Sequence, residues 1–213
     1  MSEIYLIRHG ESAANIGNAT ASNELTPLTD RGHAQAEKLA RDFRSANLRP
    51  DAIVVSPLAR ALATAAPFLS DNISVTICRD FREFSYLASM PHSTYAERAN
   101  ARNHFWSHAI DNFDFRDAAS SESLNDFYTR AQTALDFLTH FAPGCRKLTV
   151  FVFSHEMFIA ALLSIIQQIP RQQFLHKLAA ARQAEPPIKH TQVAKLILAN
   201  STLKIIDKNL FDV

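Results

Sequence analysis

Residues 4–15 read Ile-Tyr-Leu-Ile-Arg-His-Gly-Glu-Ser-Ala-Ala-Asn, a short apolar run that leads directly into Arg8-His9-Gly10. Such a run is typical of a buried β-strand. The end of a strand can hold an imidazole rigidly with a cation beside it, and a glycine lets the backbone approach whatever the imidazole attacks. The stretch therefore predicts a strand followed by a site suited to a phosphoryl group.

Strands and helices alternate along the rest of the chain. The pattern predicts further strands at Ala52–Val55, Val75–Cys78 and Leu148–Phe153, and a closing strand pair at Val193–Ala199 and Leu203–Ile206. It predicts helices over 31–46, capped by Thr29, and over 58–68, 123–141, 157–168 and 172–182, with Pro67 ending or kinking the second. This order predicts one α/β domain over residues 1–213, with a doubly wound, mostly parallel sheet flanked by helices.

Residues 80–120 differ in composition from the rest of the chain. They are rich in aromatic and charged side chains, and 94–110 is expected to be helical. We interpret this region as a helical and loop insertion that forms a lid or a wall of the substrate site. The aromatic rings could equally pack a satellite core, and the two interpretations are compatible.

The bulk composition excludes some classes of partner. The 213 residues carry a formal net charge of +1, which encodes no general attraction to nucleic acid or to an anionic membrane. The apolar stretch 148–166 has Ser154-His155-Glu156 at its middle, so a strand, a turn and a helix explain it better than a membrane span. The composition indicates no oligomeric state.

Two further features concern the compartment. Cys78 and Cys145 have no metal-binding or redox spacing, which is typical of reduced thiols in a cytoplasmic protein. We also expect no signal peptide, because strand-like sequence begins at Ile4.

Reactive side chains follow several of the predicted strands. Arg8 and His9 follow the first, Ser56-Pro57 and then Arg60 follow the second, and Ser154-His155 follows the fourth. Glu83 comes shortly after the third strand. Because ligands bind at the carboxyl ends of parallel strands, we expect these residues to converge.

These residue types suit phosphoryl transfer. A neutral imidazole of His9 can attack phosphorus, and neighbouring arginines favour that neutral form. Arg8 and Arg60 can bind the phosphoryl oxygens, with support from His155 when it is protonated. Glu83 can donate a proton to the departing alkoxide. No metal-ligand spacing is visible, so we expect the arginines to replace a magnesium ion, with no cofactor.

The chain resembles the histidine phosphatase superfamily, which includes the cofactor-dependent phosphoglycerate mutases. The resemblance rests on several segments in order, which are Arg8-His9-Gly10-Glu11-Ser12 with Asn15, residues 28–36, residues 55–65, Phe81-Arg82-Glu83, Ser121-Glu122-Ser123 with Arg130, and residues 151–155. The resemblance implies that His9 is the phosphorylated nucleophile, that Arg8, Arg60 and His155 form the phosphate pocket, and that Glu83 is the proton donor. It also makes Asn15 and Ser12 candidate phosphate contacts, although Asn15 could instead cap a helix or turn. Glu122 is expected near the start of a helix, where it would complement the helix dipole.

The sequence departs from the family pattern in places. Glu156 stands where a glycine often follows the second histidine, and we expect its carboxylate to point away from an anion pocket. The glycine common after the acid is absent from residues 84–88, and Ala63 replaces a frequent glutamine. The Cys-Gly pair and the acid-Arg-His-Tyr segment typical of the mutases are missing, which favours a phosphatase.

Three functions follow as expectations. The first is a metal-independent phosphomonoesterase working through phosphorylated His9 on a small phosphorylated substrate, with a phosphoprotein also open. The second is a mutase, which would return the phosphoryl group to a bound product. The third is a phosphate-binding module that has lost catalysis.

Overall fold

A six-stranded mixed sheet forms the centre of the molecule in a computed structural model, which describes residues 1–18, 22–70, 72–87, 95–141, 147–180 and 190–207. The strands are β1 (Ser2–Arg8), β2 (Ala52–Val55), β3 (Ser74–Ile77), β4 (Thr149–Ser154), β5 (Val193–Ala199) and β6 (Thr202–Asp207), in the order β3-β2-β4-β1-β5-β6. The first four run parallel, whereas β5 is antiparallel to both β1 and β6. This confirms the predicted α/β class and mostly parallel sheet.

Six α-helices connect the strands in the described ranges. They are α1 (Asp30–Ser45), α2 (Ala59–Ala65), α3 (Tyr95–Ala109), α4 (Leu124–Phe141), α5 (Glu156–Ile166) and α6 (Arg171–Ala180). Thr29 caps α1 as predicted, because its hydroxyl accepts a hydrogen bond from the Gly32 N–H at 3.0 Å. The helix predicted over 58–68 ends in a 3₁₀ turn at Ala66–Phe68, because Pro67 has no N–H to continue the α-helical ladder.

Alternate side chains of the central strands face two different hydrophobic clusters. Tyr5 and Ile7 pack with α1 and α2 on one face of the sheet, whereas Ile4 and Leu6 pack with α4 and α5 on the other. Both faces of the central strands are therefore covered, which explains why these strands are apolar at nearly every position.

The aromatic residues of the 80–120 region pack into the second of these clusters. Phe84, Phe105 and Trp106 are buried there, and the rings of Phe84 and Phe127 lie 4.5 Å apart. The core-packing interpretation is therefore confirmed for these rings, and the role of the region as a lid stays a prediction. Residues 88–94 of this region lie outside the described residues, as do Cys145 and the predicted end of α6 at 181–182.

The segment 148–166 forms β4 and α5, with a turn at His155, as predicted from its polar centre. None of the helices in the described ranges combines the length and the apolar character that crossing a bilayer requires.

Register brings the predicted site residues to one edge of the sheet. Arg8 lies opposite Ser154, and Val55 lies opposite Phe153, so β1, β2 and β4 end at the same level. Because β5 is antiparallel, its amino-terminal end reaches this same edge, with Val193 opposite Ile7.

Candidate active site

His9 lies immediately after β1 and is 4% exposed. Its backbone N–H donates to the Ser154 carbonyl at 3.0 Å, which continues the pairing of β1 with β4 by one residue. Its Nδ1 lies 2.6 Å from the Gly10 carbonyl, which can only accept a hydrogen bond, so we assign the ring proton to Nδ1. The lone pair then resides on Nε2. Burial lowers the pKa of His9 well below its usual range, and the charges of Arg60 and Arg8 lower it further.

Two glycines allow the loop after His9 to lie against the first turn of α1. A Cβ atom at Gly10 would lie 2.6 Å from the Gly32 carbonyl oxygen, and one at Gly32 would lie 2.0 Å from the Glu11 carbonyl oxygen. Side chains at either position would force the backbones apart. The close approach explains why a glycine stands in each of these separate segments.

Arg60 reaches the site from the first turn of α2. Its Nη1 donates to the Asn23 carbonyl at 2.8 Å, and burial lowers its pKa to about 10, against the opposing effect of Glu83. Arg60 is therefore still charged at neutral pH. One turn later, the Thr64 hydroxyl accepts from the Gly10 N–H at 3.0 Å and donates to the Arg60 carbonyl at 2.7 Å. These bonds join α2 to the loop that follows His9.

His155 lies directly after β4 and is fully buried. Its ring centroid is 5.1 Å from that of His9, and its Nε2 lies 2.8 Å from the Ser56 hydroxyl. Burial lowers the pKa of His155 well below its usual range, and Arg60 lowers it further. The surroundings thus favour a neutral ring, whereas the sequence had suggested a contribution from protonated His155.

Arg8 is almost completely buried and pairs with a carboxylate. Its Nη2 lies 2.9 Å from Oε2 of Glu156, the first residue of α5. Glu156 therefore points toward Arg8, a residue predicted to bind phosphate, whereas the sequence led us to expect that it points away from such a pocket. A buried guanidinium attracts the nearest carboxylate, and the register of β1 and β4 puts Glu156 within its reach.

Glu83 lies at the same edge of the sheet. Its Oε1 accepts from the Phe84 N–H at 2.9 Å, and its Oε2 accepts from the Met157 N–H at 3.2 Å. Burial lowers the pKa of Arg8 and of Arg60, and the negative charge of Glu83 opposes both shifts. The structure therefore brings Glu83 together with both arginines, despite the absence of a glycine after it.

Arg130 of α4 supports the loop that carries Glu83. Its guanidinium contacts both oxygens of Glu122, at 2.6 and 2.8 Å. It also donates to the carbonyls of Asp80, Arg82 and Glu83 at 2.7, 2.8 and 3.3 Å. The expectation that Glu122 only complements a helix dipole is therefore wrong, because its carboxylate orients Arg130 beneath this loop.

Ser12 and Asn15 form a local turn. The backbone N–H and the hydroxyl of Ser12 donate to Oδ1 of Asn15, at 2.9 and 2.6 Å. Asn15 is exposed and Ser12 is buried. The amide oxygen of Asn15 serves the turn, and the role of both residues as phosphate contacts stays a prediction.

Sequence reasoning did not find His190, whose ring centroid lies 6.1 Å from that of His9. Burial and then the charge of Arg8 lower its pKa to about 4. The adjacent Thr191 has a φ of 55°, which is strained for a β-branched residue, and its N–H donates to the Arg8 carbonyl. His190 is far from the other site residues in the chain. Its place in the site could have been found only by predicting that the strand after it runs antiparallel beside β1.

A metal site requires several His, Cys, Asp or Glu side chains held close together. In the part of the chain that the structure describes, no group of three or more His, Cys, Asp or Glu side chains is arranged to hold a metal ion.

Two known proteins resemble the chain in sequence over most of its length. The chain is 28% identical over 180 residues to an adenosylcobalamin/alpha-ribazole phosphatase of Escherichia coli K12, a match that covers 81% of this chain and 83% of that protein. It is 25% identical over 171 residues to the protein named probable phosphoglycerate mutase GpmB of Erwinia tasmaniensis, covering 80% of this chain and 77% of that one.

Solved structures show the same fold. The crystal structure of an alpha-ribazole phosphatase from Shigella flexneri matches with a TM-score of 0.76 at 20% identity, covering 97% of this chain and 96% of that one. A family model described as histidine phosphatase superfamily (branch 1) matches residues 4–184. Because that match spans most of the chain and includes every converging residue except His190, the protein belongs to branch 1 of the histidine phosphatase superfamily.

Proposed function

We propose that this protein is a phosphomonoester hydrolase in which His9 is transiently phosphorylated. The observation that carries the proposal is the hydrogen bond between His9 Nδ1 and the Gly10 carbonyl, which leaves a lone pair on Nε2. A buried imidazole in this tautomer, flanked by Arg8 and Arg60, is prepared to attack an electron-poor phosphorus atom.

The first step transfers the phosphoryl group to the protein. Nε2 of His9 attacks phosphorus, the N–P bond forms, and the bond from phosphorus to the ester oxygen breaks. The negative charge of the bound phosphate favours the protonated form of Glu83, and Glu83 gives this proton to the departing alkoxide, which leaves as an alcohol. Arg8 and Arg60 stabilise the charge that spreads over the phosphoryl oxygens.

The second step restores the protein. Water attacks phosphorus, the N–P bond breaks, and the Glu83 carboxylate accepts the proton that water loses. The products are inorganic phosphate and the neutral imidazole of His9.

His155, neutral in its buried environment, supplies a hydrogen bond to a phosphoryl oxygen, and an approaching phosphate dianion would favour its charged form.

We propose a small phosphorylated molecule as the substrate, as for the alpha-ribazole phosphatase that the chain resembles. We further propose that residues of the 80–120 region form a wall that covers such a molecule. A mutase is the second candidate, because the chain also matches the probable phosphoglycerate mutase.

A phosphatase assay over a panel of phosphorylated metabolites tests the proposal. Wild-type protein should release inorganic phosphate, whereas His9→Ala should be inactive and Glu83→Gln strongly impaired. His33→Ala, which alters an exposed histidine on α1, is the matched control and should keep full activity. Full activity of His9→Ala would refute the proposal.

Two further measurements separate the alternatives. Intact-mass spectrometry after an alkaline quench should detect one phosphoryl group on wild-type protein and none on His9→Ala. Isotope-labelled phosphate should appear in solution for a hydrolase, whereas for a mutase it should appear in an isomer of the substrate. A binding module would bind phosphate without releasing product from any member of the panel.

A further inference from the structure

Arg8, a residue of the proposed phosphate pocket, forms an ion pair with Glu156. Nη2 of Arg8 and Oε2 of Glu156 are 2.9 Å apart, and their side chains are 4% and 20% exposed. Glu156 is two residues beyond Ser154, which pairs with Arg8 across the sheet. The guanidinium is therefore positioned by the last residue of β1, and the carboxylate by the first residue of α5, which follows β4 after His155 alone.

A carboxylate and a phosphate compete for the same donors. Guanidinium N–H groups bind the oxygens of either anion in the same planar geometry, and Arg8 has a limited number of N–H groups. Glu83 is a second carboxylate whose charge acts on Arg8. The two arginines of the pocket, Arg8 and Arg60, are thus balanced by two carboxylates before any phosphate arrives.

We infer that Glu156 weakens the binding of phosphate by competing for Arg8. A phosphoryl group that enters the pocket must displace the carboxylate or share the guanidinium with it. When inorganic phosphate leaves after hydrolysis, Glu156 takes its place on Arg8. Glu156 thereby limits inhibition of the enzyme by its own product. The competition rests on the proposed function in taking Arg8 as part of the phosphate pocket, and the limit on product inhibition rests on the proposed hydrolysis as well.

An alternative role for Glu156 gives the opposite expectation. If the carboxylate only orients Arg8 for phosphate, removing its charge should loosen Arg8 and weaken phosphate binding. The sign of the change in affinity therefore separates competition from positioning.

Calorimetric titration of inorganic phosphate into wild-type protein and Glu156→Gln at fixed ionic strength tests the inference. Glu156→Gln keeps the size of the side chain and one acceptor oxygen while removing its charge. We expect its phosphate Kd to be lower by at least about tenfold, the factor associated with one hydrogen bond to a charged group. The inhibition constant for phosphate should fall in parallel.

Glu3→Gln is the matched control, because it removes one negative charge at the other end of β1. Glu3 forms an ion pair with Lys195 at 3.1 Å, and its side chain is 21% exposed, close to the value for Glu156. Its phosphate Kd should equal that of the wild type. Glu156→Ala is a second test variant in case the glutamine side chain still bonds Arg8, and it should also bind phosphate more tightly.

The possible results are distinct. An unchanged or higher phosphate Kd in both Glu156 variants would overturn the inference, as would a complete lack of phosphate binding by all of the proteins. Tighter binding without turnover of any phosphoester would support the inference and refute the proposed hydrolase. Turnover that depends on His9, together with an unchanged phosphate Kd in both Glu156 variants, would support the proposed hydrolase and overturn the inference.

Discussion

Replacing Arg130 by methionine should destabilise the loop that carries Glu83. Arg130 is 8% exposed and makes two bonds to Glu122 and three to the carbonyls of Asp80, Arg82 and Glu83. Methionine fills similar space but donates no hydrogen bond. Removing one partner of a buried ion pair costs about 3–5 kcal/mol, a large share of the roughly 5–15 kcal/mol that stabilises a typical domain.

The same substitution should reduce turnover. The Glu83 carbonyl loses its contact with Arg130, and the loop from 80 to 85 loses the bonds that hold its shape. A displacement of a catalytic group by about 1 Å can cost about 100-fold in rate, so we expect kcat to fall by up to that factor. KM should change less, because Arg8 and Arg60 remain in place.

Urea-induced unfolding, followed by fluorescence of the single tryptophan, measures the free energy of unfolding. Trp106 is buried in the cluster that contains Phe84 and should report the transition. Arg82→Met is the control, because Arg82 is more exposed and makes one ion pair with Glu122 at 2.8 Å. It should cost no more than about 1 kcal/mol.

A double variant sharpens the test. Adding Glu122→Leu to Arg130→Met also removes the partner of Arg82 and the acceptor of the Ser85 N–H, so the double variant should be no more stable than the single one. The reasoning would be refuted if Arg130→Met lost less than about 1 kcal/mol and kept the wild-type kcat.

Three other substitutions test the site. Gly32→Ala should lower the free energy of unfolding by about 1–3 kcal/mol in thermal or urea unfolding, because the new Cβ would lie 2.0 Å from the Glu11 carbonyl oxygen. A gain in stability, as expected for alanine in an ordinary helix, would contradict the close approach. Thr64→Val should cost about 1–3 kcal/mol in the same assay, since the buried Gly10 N–H loses its acceptor, and a neutral effect would contradict that bond. His9 and His155 stay neutral in the folded protein because their pKa values are lowered, whereas the unfolded chain protonates them as the pH falls from about 6.5 to about 5.5. The free energy of unfolding should therefore fall by about 1 kcal/mol for each histidine over that range, with no such loss above about pH 6.5. His155→Asn should make the pH dependence shallower in urea unfolding, and an unchanged slope would mean that the ring is already charged when folded.

The spacing of hydrophobic residues, together with helix-capping and helix-ending residues, accounts for most of the fold prediction. The strand at Ala52–Val55 has the predicted bounds, and Thr29 and Pro67 mark the start of α1 and the end of α2 as expected. These features depend on residues close together in the chain, where propensity and capping act directly. Convergence of Arg8, Arg60, Glu83 and His155 was predictable as well, because parallel strands present their carboxyl ends at one edge.

Contacts between side chains from distant segments were not predictable in the same way. Glu156 was expected to avoid the pocket, but it binds Arg8 because the adjacent strands hold the two residues within reach. Glu122 was expected to act on a helix dipole, but its carboxylate binds Arg130, which lies in the second turn of α4. In both cases the outcome depends on which partner a buried charge can reach, and this depends on packing.

The sequence by itself determined the α/β order of the elements, the apolar character of the central strands and the residue types of the site. Those properties follow from local periodicity and from the requirement that strands covered on both faces be apolar. Only the tertiary structure decided which nitrogen of His9 carries the proton, that His190 joins the site, and that Glu156 occupies Arg8. These three follow from distances between atoms that the chain brings together only when it folds, and hydrogen bonds and ion pairs depend on those distances.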